Sequence, residues 1–386
     1  MKDGKSAGRQ GGRETPGTHL VRCRPAVWPS CRPVPLLLAA TIVGCGPGRA
    51  PIPPDEILPF GSDTILTRWT ELPLAAPSQS RFVVVSADWD SAAFTNFASH
   101  SLEALGGPRQ QAYLHPFQVF SARDTVYLAD WGKRRTTGWS PGGQLVDSVP
   151  VVDALRGSYV RARDAAGNWY FQVDPVPGRD GSGNQDSAAV VRSPLSLTRF
   201  DTVARLTPIE LAQVRRDDQT RFERRVFSGS DIWGVWPDGT VWIARRFRNQ
   251  LETISPQGQM ARGPELPDPV FEITGPDRME YLNSYPEEVR PKEMEVAWAI
   301  IHPPFYAAFA APDGSIWLEK SKPAADSVRR IHVLDRSGGL QRVLVIKGQG
   351  RLLSVGSEHL LLGERYPEGV RLMQVRIPQR LPTQGQ

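Results

Sequence analysis

Ser230-Asp-Ile-Trp-Gly-Val-Trp-Pro-Asp-Gly-Thr-Val-Trp-Ile-Ala244 reads as one strand, a tight turn and a second strand. Asp238-Gly239, set between β-branched and aromatic residues, is a strong hairpin signal because glycine tolerates the positive φ that such turns demand. Trp242 falls in the middle of the second strand, where a large side chain fills the space between two sheets. The same grammar recurs along the chain.

Aligned on the residue equivalent to Trp242, six stretches match: Phe82-Val-Val-Val-Ser-Ala-Asp-Trp89, Asp124-Thr-Val-Tyr-Leu-Ala-Asp-Trp131, Gly167-Asn-Trp-Tyr-Phe-Gln-Val173, Gly239-Thr-Val-Trp-Ile-Ala244, Gly314-Ser-Ile-Trp-Leu-Glu319 and Ser357-Glu-His-Leu-Leu-Leu362. The anchors Val85, Tyr127, Tyr170, Trp242, Trp317 and Leu361 are separated by 42, 43, 72, 75 and 44 residues. Three separations suit a unit of four short strands repeated around a ring. The two long ones call for insertions. Thr207-Pro-Ile-Glu-Leu-Ala-Gln-Val214 carries a capping box with proline at the first helical position and predicts a short helix. Gly275 to Tyr285 and Pro291 to Trp298 also read as helical and charged.

Outer strands are supplied by Gly138-Trp-Ser-Pro-Gly-Gly-Gln-Leu145, Thr253-Ile-Ser-Pro-Gln-Gly-Gln-Met260 and Ile331 to Leu340, each a strand, a polar turn and an outgoing strand. Such strand pairs bury both faces only by stacking on neighbours. The pattern resembles six-bladed β-propellers of the NHL-repeat and TolB-like kind, among them many exported bacterial lipoproteins. It spans residues 62–378, leaves 379–386 as a tail, and implies an all-β fold with short helical insertions. The Asp that follows the anchor in the first two repeats, Asp88 and Asp130, is offset or absent afterwards. The last repeat, ending in Gly369-Val-Arg-Leu-Met-Gln-Val-Arg-Ile377, is one strand short; Thr64-Ile-Leu-Thr-Arg-Trp-Thr70 is the segment expected to supply it and close the ring.

Composition agrees with a single large β domain. Of 386 residues 40% are apolar, with 11 Trp, 14 Phe and 8 Tyr for a core and 35 Gly and 35 Pro for many turns. The net charge of +5 resides in the N-terminal segment: residues 1–45 hold seven of the 46 Lys and Arg but two of the 41 Asp and Glu, leaving 39 of each sign elsewhere. A neutral body offers no stripe for nucleic acid. Arg221-Phe-Glu-Arg-Arg225 and Arg245-Arg-Phe-Arg248 read as solvated strand edges.

Pro35-Leu-Leu-Leu-Ala-Ala-Thr-Ile-Val-Gly44 is too short to span a bilayer, which takes ~20 apolar residues. After a basic segment it reads as an export signal. Ile42-Val-Gly-Cys45 resembles a lipobox, which implies lipidation of Cys45 and cleavage before it. Cysteines stand only at 23, 31 and 45, so the processed chain would keep one thiol and no intramolecular disulfide. The basic segment is long for such a signal, and Val21 is a candidate true start. Gly46 rather than Asp after the lipobox resembles the outer-membrane class. Residues 46–61, rich in Pro and Gly, read as a tether.

Propeller ligands sit where innermost strands meet the channel mouth. Here those strands are Phe117 to Phe120, Tyr159 to Arg163, Ile232 to Val235, Phe305 to Phe309 and Leu352 to Val355, and they carry almost no carboxylates. That disfavours the calcium site of propeller lactonases, since a hard cation takes several oxygen ligands. His115-Pro116 and His302-Pro303 each precede an inner strand, as a facing pair of ligands or bases, or as loop caps followed by an obligatory proline. Arg161 and Arg163 alternate with apolar residues and point the same way, either to bind a carboxylate, phosphate or sugar acid or to pair with a neighbouring blade. Tyr281, Tyr285 and Tyr306, with Trp233 and Trp236, offer stacking surface or core.

No nucleophile elbow, His-Glu-x-x-His, phosphate loop or dinucleotide fingerprint occurs, and no cofactor or metal is called for. The expected protein is a monomeric, lipid-anchored propeller of the cell envelope, facing the periplasm from the outer membrane. It would act as a non-enzymatic binding or scaffold module for a protein, peptide or glycan, with His115, Arg161, Arg163, His302 and Tyr306 as candidate ligand contacts and no nucleic-acid partner. The rival expectation is an exported lactonase-like hydrolase or lyase with a metal-assisted site.

Overall fold

The computed structural model describes residues 52–58, 63–86, 88, 90–106, 113–175, 187–216 and 219–378. The export signal, Cys45, the tether at 46–51 and 59–61, and the tail at 379–386 lie outside them. No helix among the described residues is long and apolar enough to cross a membrane.

Six four-stranded antiparallel units follow one another, over residues 74–104, 116–150, 160–205, 232–262, 305–347 and 351–376, and are numbered blades 1 to 6. The last takes its fourth strand from Thr64–Thr67, which pairs antiparallel with Gly369–Arg376 as the sequence predicts. Asp55–Ile57, within the expected tether, instead adds a parallel fifth strand to the outer edge of blade 5. Arg342 holds Glu56 there through two contacts of 2.9 and 2.6 Å. This is a six-bladed β-propeller.

The second strand of each blade explains the closure. Its alternate side chains leave opposite faces of the sheet, so each blade contributes to two cores. Val126 and Leu128 pack with blade 1, and Tyr127 with blade 3. Val241 and Ile243 pack with blade 3, and Trp242 with blade 5. Six clusters result, one at every blade interface, and Ile65, Leu361 and Leu372 of blade 6 meet Phe82 and Val84 of blade 1. All six anchors are buried.

The turn between the first two strands of blade 4 is a three-residue loop, Pro237-Asp238-Gly239. Gly239 takes φ +84° and Asp238 Oδ1 accepts the Thr240 N–H at 2.9 Å. Asp88 and Asp130 are stitches: Asp88 accepts the Thr70 N–H at 2.8 Å, and Asp130 the Leu114 N–H at 2.6 Å, tying each second strand to the segment that enters its own blade.

Both long separations are insertions. The first is not helical. Leu211–Arg216 and Gln219–Arg224 form a β-hairpin, because the capping box is dismantled: Thr207 gives its N–H and hydroxyl to Asp231, both at 2.8 Å, and Glu210 pairs with Arg246 at 3.1 Å. In the second, Gly275–Asn283 is a helix capped at Thr274, whereas 291–298 contains only a 3₁₀ turn, Glu293–Glu295.

Candidate functional site at one mouth of the ring

Strand order places every connection on one of two faces. Links between first and second strands, and between third and fourth, are short turns on one face, the longest being 194–200. Everything longer leaves from the opposite face: 105–115, 151–159, 174–188, 206–231 and 263–304. This insertion face is also where the inner strands begin. Val226 ties the two largest insertions together, donating to the Ala297 carbonyl at 2.6 Å and accepting from the Ala299 N–H at 3.0 Å.

The inner strands of four blades share a departure from regular pairing. Register slips by one residue between Pro116 and Gln118, Val160 and Ala162, Phe305 and Ala307, and Leu352 and Ser354. A bulge takes its extra residue out of the ladder and re-aims that side chain. Phe117, Arg161, Tyr306 and Leu353 are therefore equivalent positions at the insertion-face ends of blades 2, 3, 5 and 6. Blades 1 and 4 pair without a slip.

The bulge separates Arg161 from Arg163, against the expectation that both point one way. Arg163 returns to the ladder opposite Trp169 and turns into the interface with blade 2, where its guanidinium lies 3.2 Å from Asp147, 2.5 Å from the Tyr127 hydroxyl and 4.3 Å above the Trp169 ring. It is an inter-blade ion pair. Arg161 remains at the mouth. On blades 2 and 3 Phe117 meets Tyr159 edge to face at 4.9 Å, and exposed Trp131 lies 6.3 Å from Tyr159. His115 sits on the rim of blade 2, exposed, with Nδ1 3.3 Å from Asp90.

His302 lies in a different setting. It is buried, with Nδ1 2.7 Å from the Tyr306 hydroxyl, Nε2 3.3 Å from Asp277 and the Phe227 ring at 5.2 Å. Burial raises the pKa of Asp277, but hydrogen bonds from the Thr274 hydroxyl, the Thr274 N–H and the Ala324 N–H, with His302 close by, outweigh it and hold the carboxyl at about 2. Burial pushes the Tyr306 hydroxyl up to about 12. Tyr281 and Tyr285 share a 2.7 Å contact between their hydroxyls, and Trp298 packs against Phe227 and Tyr281. His302 and Tyr306 thus come together, while His115 shares no partner with them. Trp236 is core, and Trp233 donates to Gln172 between blades at 2.9 Å. Among the described residues no three His, Cys, Asp or Glu side chains converge as metal ligands.

Sequence reasoning passed over Asp277 and Glu319. Glu319, fully buried on the second strand of blade 5, holds Arg329 at 3.1 Å, Arg351, and the Leu352 N–H at 2.9 Å, clamping blade 5 to blade 6. The helix-capping pattern Thr274 to Asp277 was the available signal for the first; a lone Glu in a strand gave none for the second.

No family model matches the chain, and no curated protein matches it in sequence. Solved structures of similar fold include a gluconolactonase from Xanthomonas campestris (12% identity, 84% of this chain and 98% of that one, TM-score 0.42). Virginiamycin B lyase from Staphylococcus aureus gives 10%, 82%, 99% and 0.39. The calcium-binding protein regucalcin from Agrobacterium tumefaciens gives 9%, 83%, 96% and 0.41. At such identities the likeness is one of fold, and no activity passes from these proteins to this chain.

Proposed function

We propose that the chain is a propeller of the NHL-repeat or TolB-like kind, lipid-anchored through Cys45 in the cell envelope, that binds a protein, peptide or glycan on its insertion face. The observation that carries this reading is where large apolar side chains meet water. Single exposed apolar residues are ordinary, but Val270, Met279, Val289, Met294, Ile300 and Ile301 all belong to one connection, 263–304, and are between 46% and 83% exposed. Between that connection and the hairpin lies a cleft of about 680 Å³, lined by Tyr281, Tyr285, Glu223, Arg224, Glu288 and Arg290. An apolar rim beside a polar cleft suits a macromolecular surface.

The test places a photocrosslinking amino acid at Met294 and, separately, at Thr198 on the turn face, in full-length protein expressed with its own signal. A crosslinked product from position 294 and none from 198 is expected. Equal products, or none from 294, would sink the reading. Cys45→Ser examines the anchor: the protein should leave the membrane fraction.

A second reading, an exported hydrolase or lyase with a metal-assisted site, draws on His302 between a low-pKa carboxyl and a high-pKa phenol, a set able to hold and relay a proton. It requires substrate to reach a histidine whose side chain is 2% exposed. Stoichiometric divalent metal in protein purified without chelator, with turnover lost in His302→Ala, would favour it.

A further inference from the structure

The connection 263–304 carries nine Asp and Glu against three Lys and Arg, whereas the chain after position 45 holds equal numbers of each sign. The hairpin insertion across the cleft, 206–231, does not offset this, with five of each. Some of the nine carboxylates are engaged within the protein: Asp268 with Lys320 at 2.6 Å, Asp277 in the Thr274 cap, Glu293 with Arg278 at 2.9 Å and Glu295 with the Lys292 N–H at 3.0 Å. Glu265, Glu272, Glu287 and Glu288 are exposed, and among the described residues their side chains have no hydrogen bond or ion pair. Unpaired like charges on one segment repel each other, and a cationic partner relieves that repulsion.

These carboxylates are interleaved with the exposed apolar side chains. The two ends of the connection pair with each other: the Ile273 N–H donates to the Ile300 carbonyl at 3.0 Å, and the His302 N–H to the Phe271 carbonyl at 2.8 Å. Glu272 stands opposite Ile301 in that short ribbon. Val289 directly follows Glu287 and Glu288, and Met294 lies between Glu293 and Glu295. Glu288 and Val289 line the cleft together with Tyr281 and Tyr285, and Glu223 of the hairpin lines it from the other insertion. Glu223 also has no side-chain partner among the described residues. Tyrosine rings attract a cation laid over their faces.

Apolar side chains set among unpaired carboxylates suit one class of partner. A neutral glycan would leave the charge unanswered and the Ile, Val and Met side chains uncovered. An anionic lipid surface or a nucleic acid would be repelled. A polypeptide with Lys or Arg between apolar residues answers both features. We propose that the partner bound on this face is a protein presenting a basic segment with interspersed apolar residues, whose Lys or Arg side chains enter the cleft lined by Glu223, Glu288, Tyr281 and Tyr285. This rests on the partner-binding reading and specifies the chemistry of the partner.

Isothermal titration of the full-length protein tests it, with a lysine-valine peptide, its glutamate-valine counterpart, oligolysine, maltohexaose and phosphatidylglycerol vesicles as probes. Saturable binding of the lysine-valine peptide is expected, tighter than that of the glutamate-valine peptide, maltohexaose or the vesicles by roughly tenfold or more. It should weaken as salt is raised. Oligolysine should bind less tightly than the mixed peptide, because it leaves the apolar rim exposed. Combining Glu272→Gln, Glu287→Gln and Glu288→Gln should weaken the mixed peptide by roughly 10- to 100-fold without lowering Tm, since no described side-chain contact is lost. Combining Met294→Ser and Ile300→Ser should weaken the mixed peptide and leave oligolysine unchanged. The proposal falls if the acidic peptide, maltohexaose or the vesicles bind as tightly as the basic peptide, if salt has no effect, or if either combined variant binds the mixed peptide as wild type does. Absence of a crosslink at position 294 would remove the partner-binding reading itself. A crosslink at 294 without these charge effects, or one joining two copies of this chain, would overturn this proposal alone.

Discussion

Gly234 lies directly beneath the indole of Trp242: the two are cross-strand partners, and a methyl group built on the glycine would come within 2.6 Å of the ring. Gly138 stands in the same relation to Tyr127 in blade 2, with a clearance of 2.7 Å. The large anchors thus require a missing side chain opposite them. Gly234→Ala should lower stability by about 1–3 kcal/mol through overpacking. Denaturant unfolding checks this, and an unchanged midpoint would show that Trp242 can move aside.

Ile65, on the strand that completes blade 6, is 2% exposed and packs in the core shared with blade 1. Ile65→Ala should therefore destabilise the whole ring, by about 2–4 kcal/mol, in a single cooperative transition. A neutral substitution, or early release of the N-terminal strand alone in hydrogen exchange, would mean that closure is not part of the global fold.

His332 should make stability fall as the solution is acidified. Burial, aided by Lys320 and Arg330 and opposed by Asp268 and Asp55, pushes its pKa down from 6.5 to about 4. Between those values the unfolded chain binds a proton that the folded chain refuses, so stability is full above pH 6.5 and is lost progressively as pH falls toward 4. His332→Gln should flatten that part of the curve in thermal melts across pH. An equally steep curve in the variant would assign the effect elsewhere.

Arg163 should be felt in stability, because it joins blade 3 to blade 2. Arg163→Met removes a partly buried pair to Asp147 and a contact on Trp169, and should lower stability by about 1–3 kcal/mol. Unaltered melting of Arg163→Met would show that the inter-blade pair adds nothing measurable to stability.

Anchors, turns and the closing strand were legible because they are written in local pattern: alternation around Tyr127 or Trp242, a glycine where φ must be positive, and a final repeat lacking one strand. The hairpin at 211–224 was not. Its preceding Thr207 carries a helix-start signature that Asp231, 24 positions away, takes over. The bulges were invisible because a slip of register is a property of two strands, and Arg161 and Arg163 look equivalent until Trp169 is known to pair with only one of them. In sequence His302 was matched with the other His-Pro site, His115, whereas in the structure it meets Tyr306 and Asp277. Its acid lies in a helix cap 25 positions earlier, while His115 belongs to the far rim.

The bond from the Thr67 hydroxyl to the Val370 carbonyl joins residues 303 positions apart, and this fixes an order of events in time. A polypeptide delivered N-terminus first, whether from a ribosome or through a membrane, presents Thr64–Thr67 long before Gly369–Arg376 exists to receive it. Until then the first blade has no neighbour on one side and the leading strand is an open edge, the kind of surface that recruits other chains. Completion is therefore timed by the last residues to arrive. A chain stopped short of residue 369 should accumulate as an aggregation-prone arc, however many of its blades have formed.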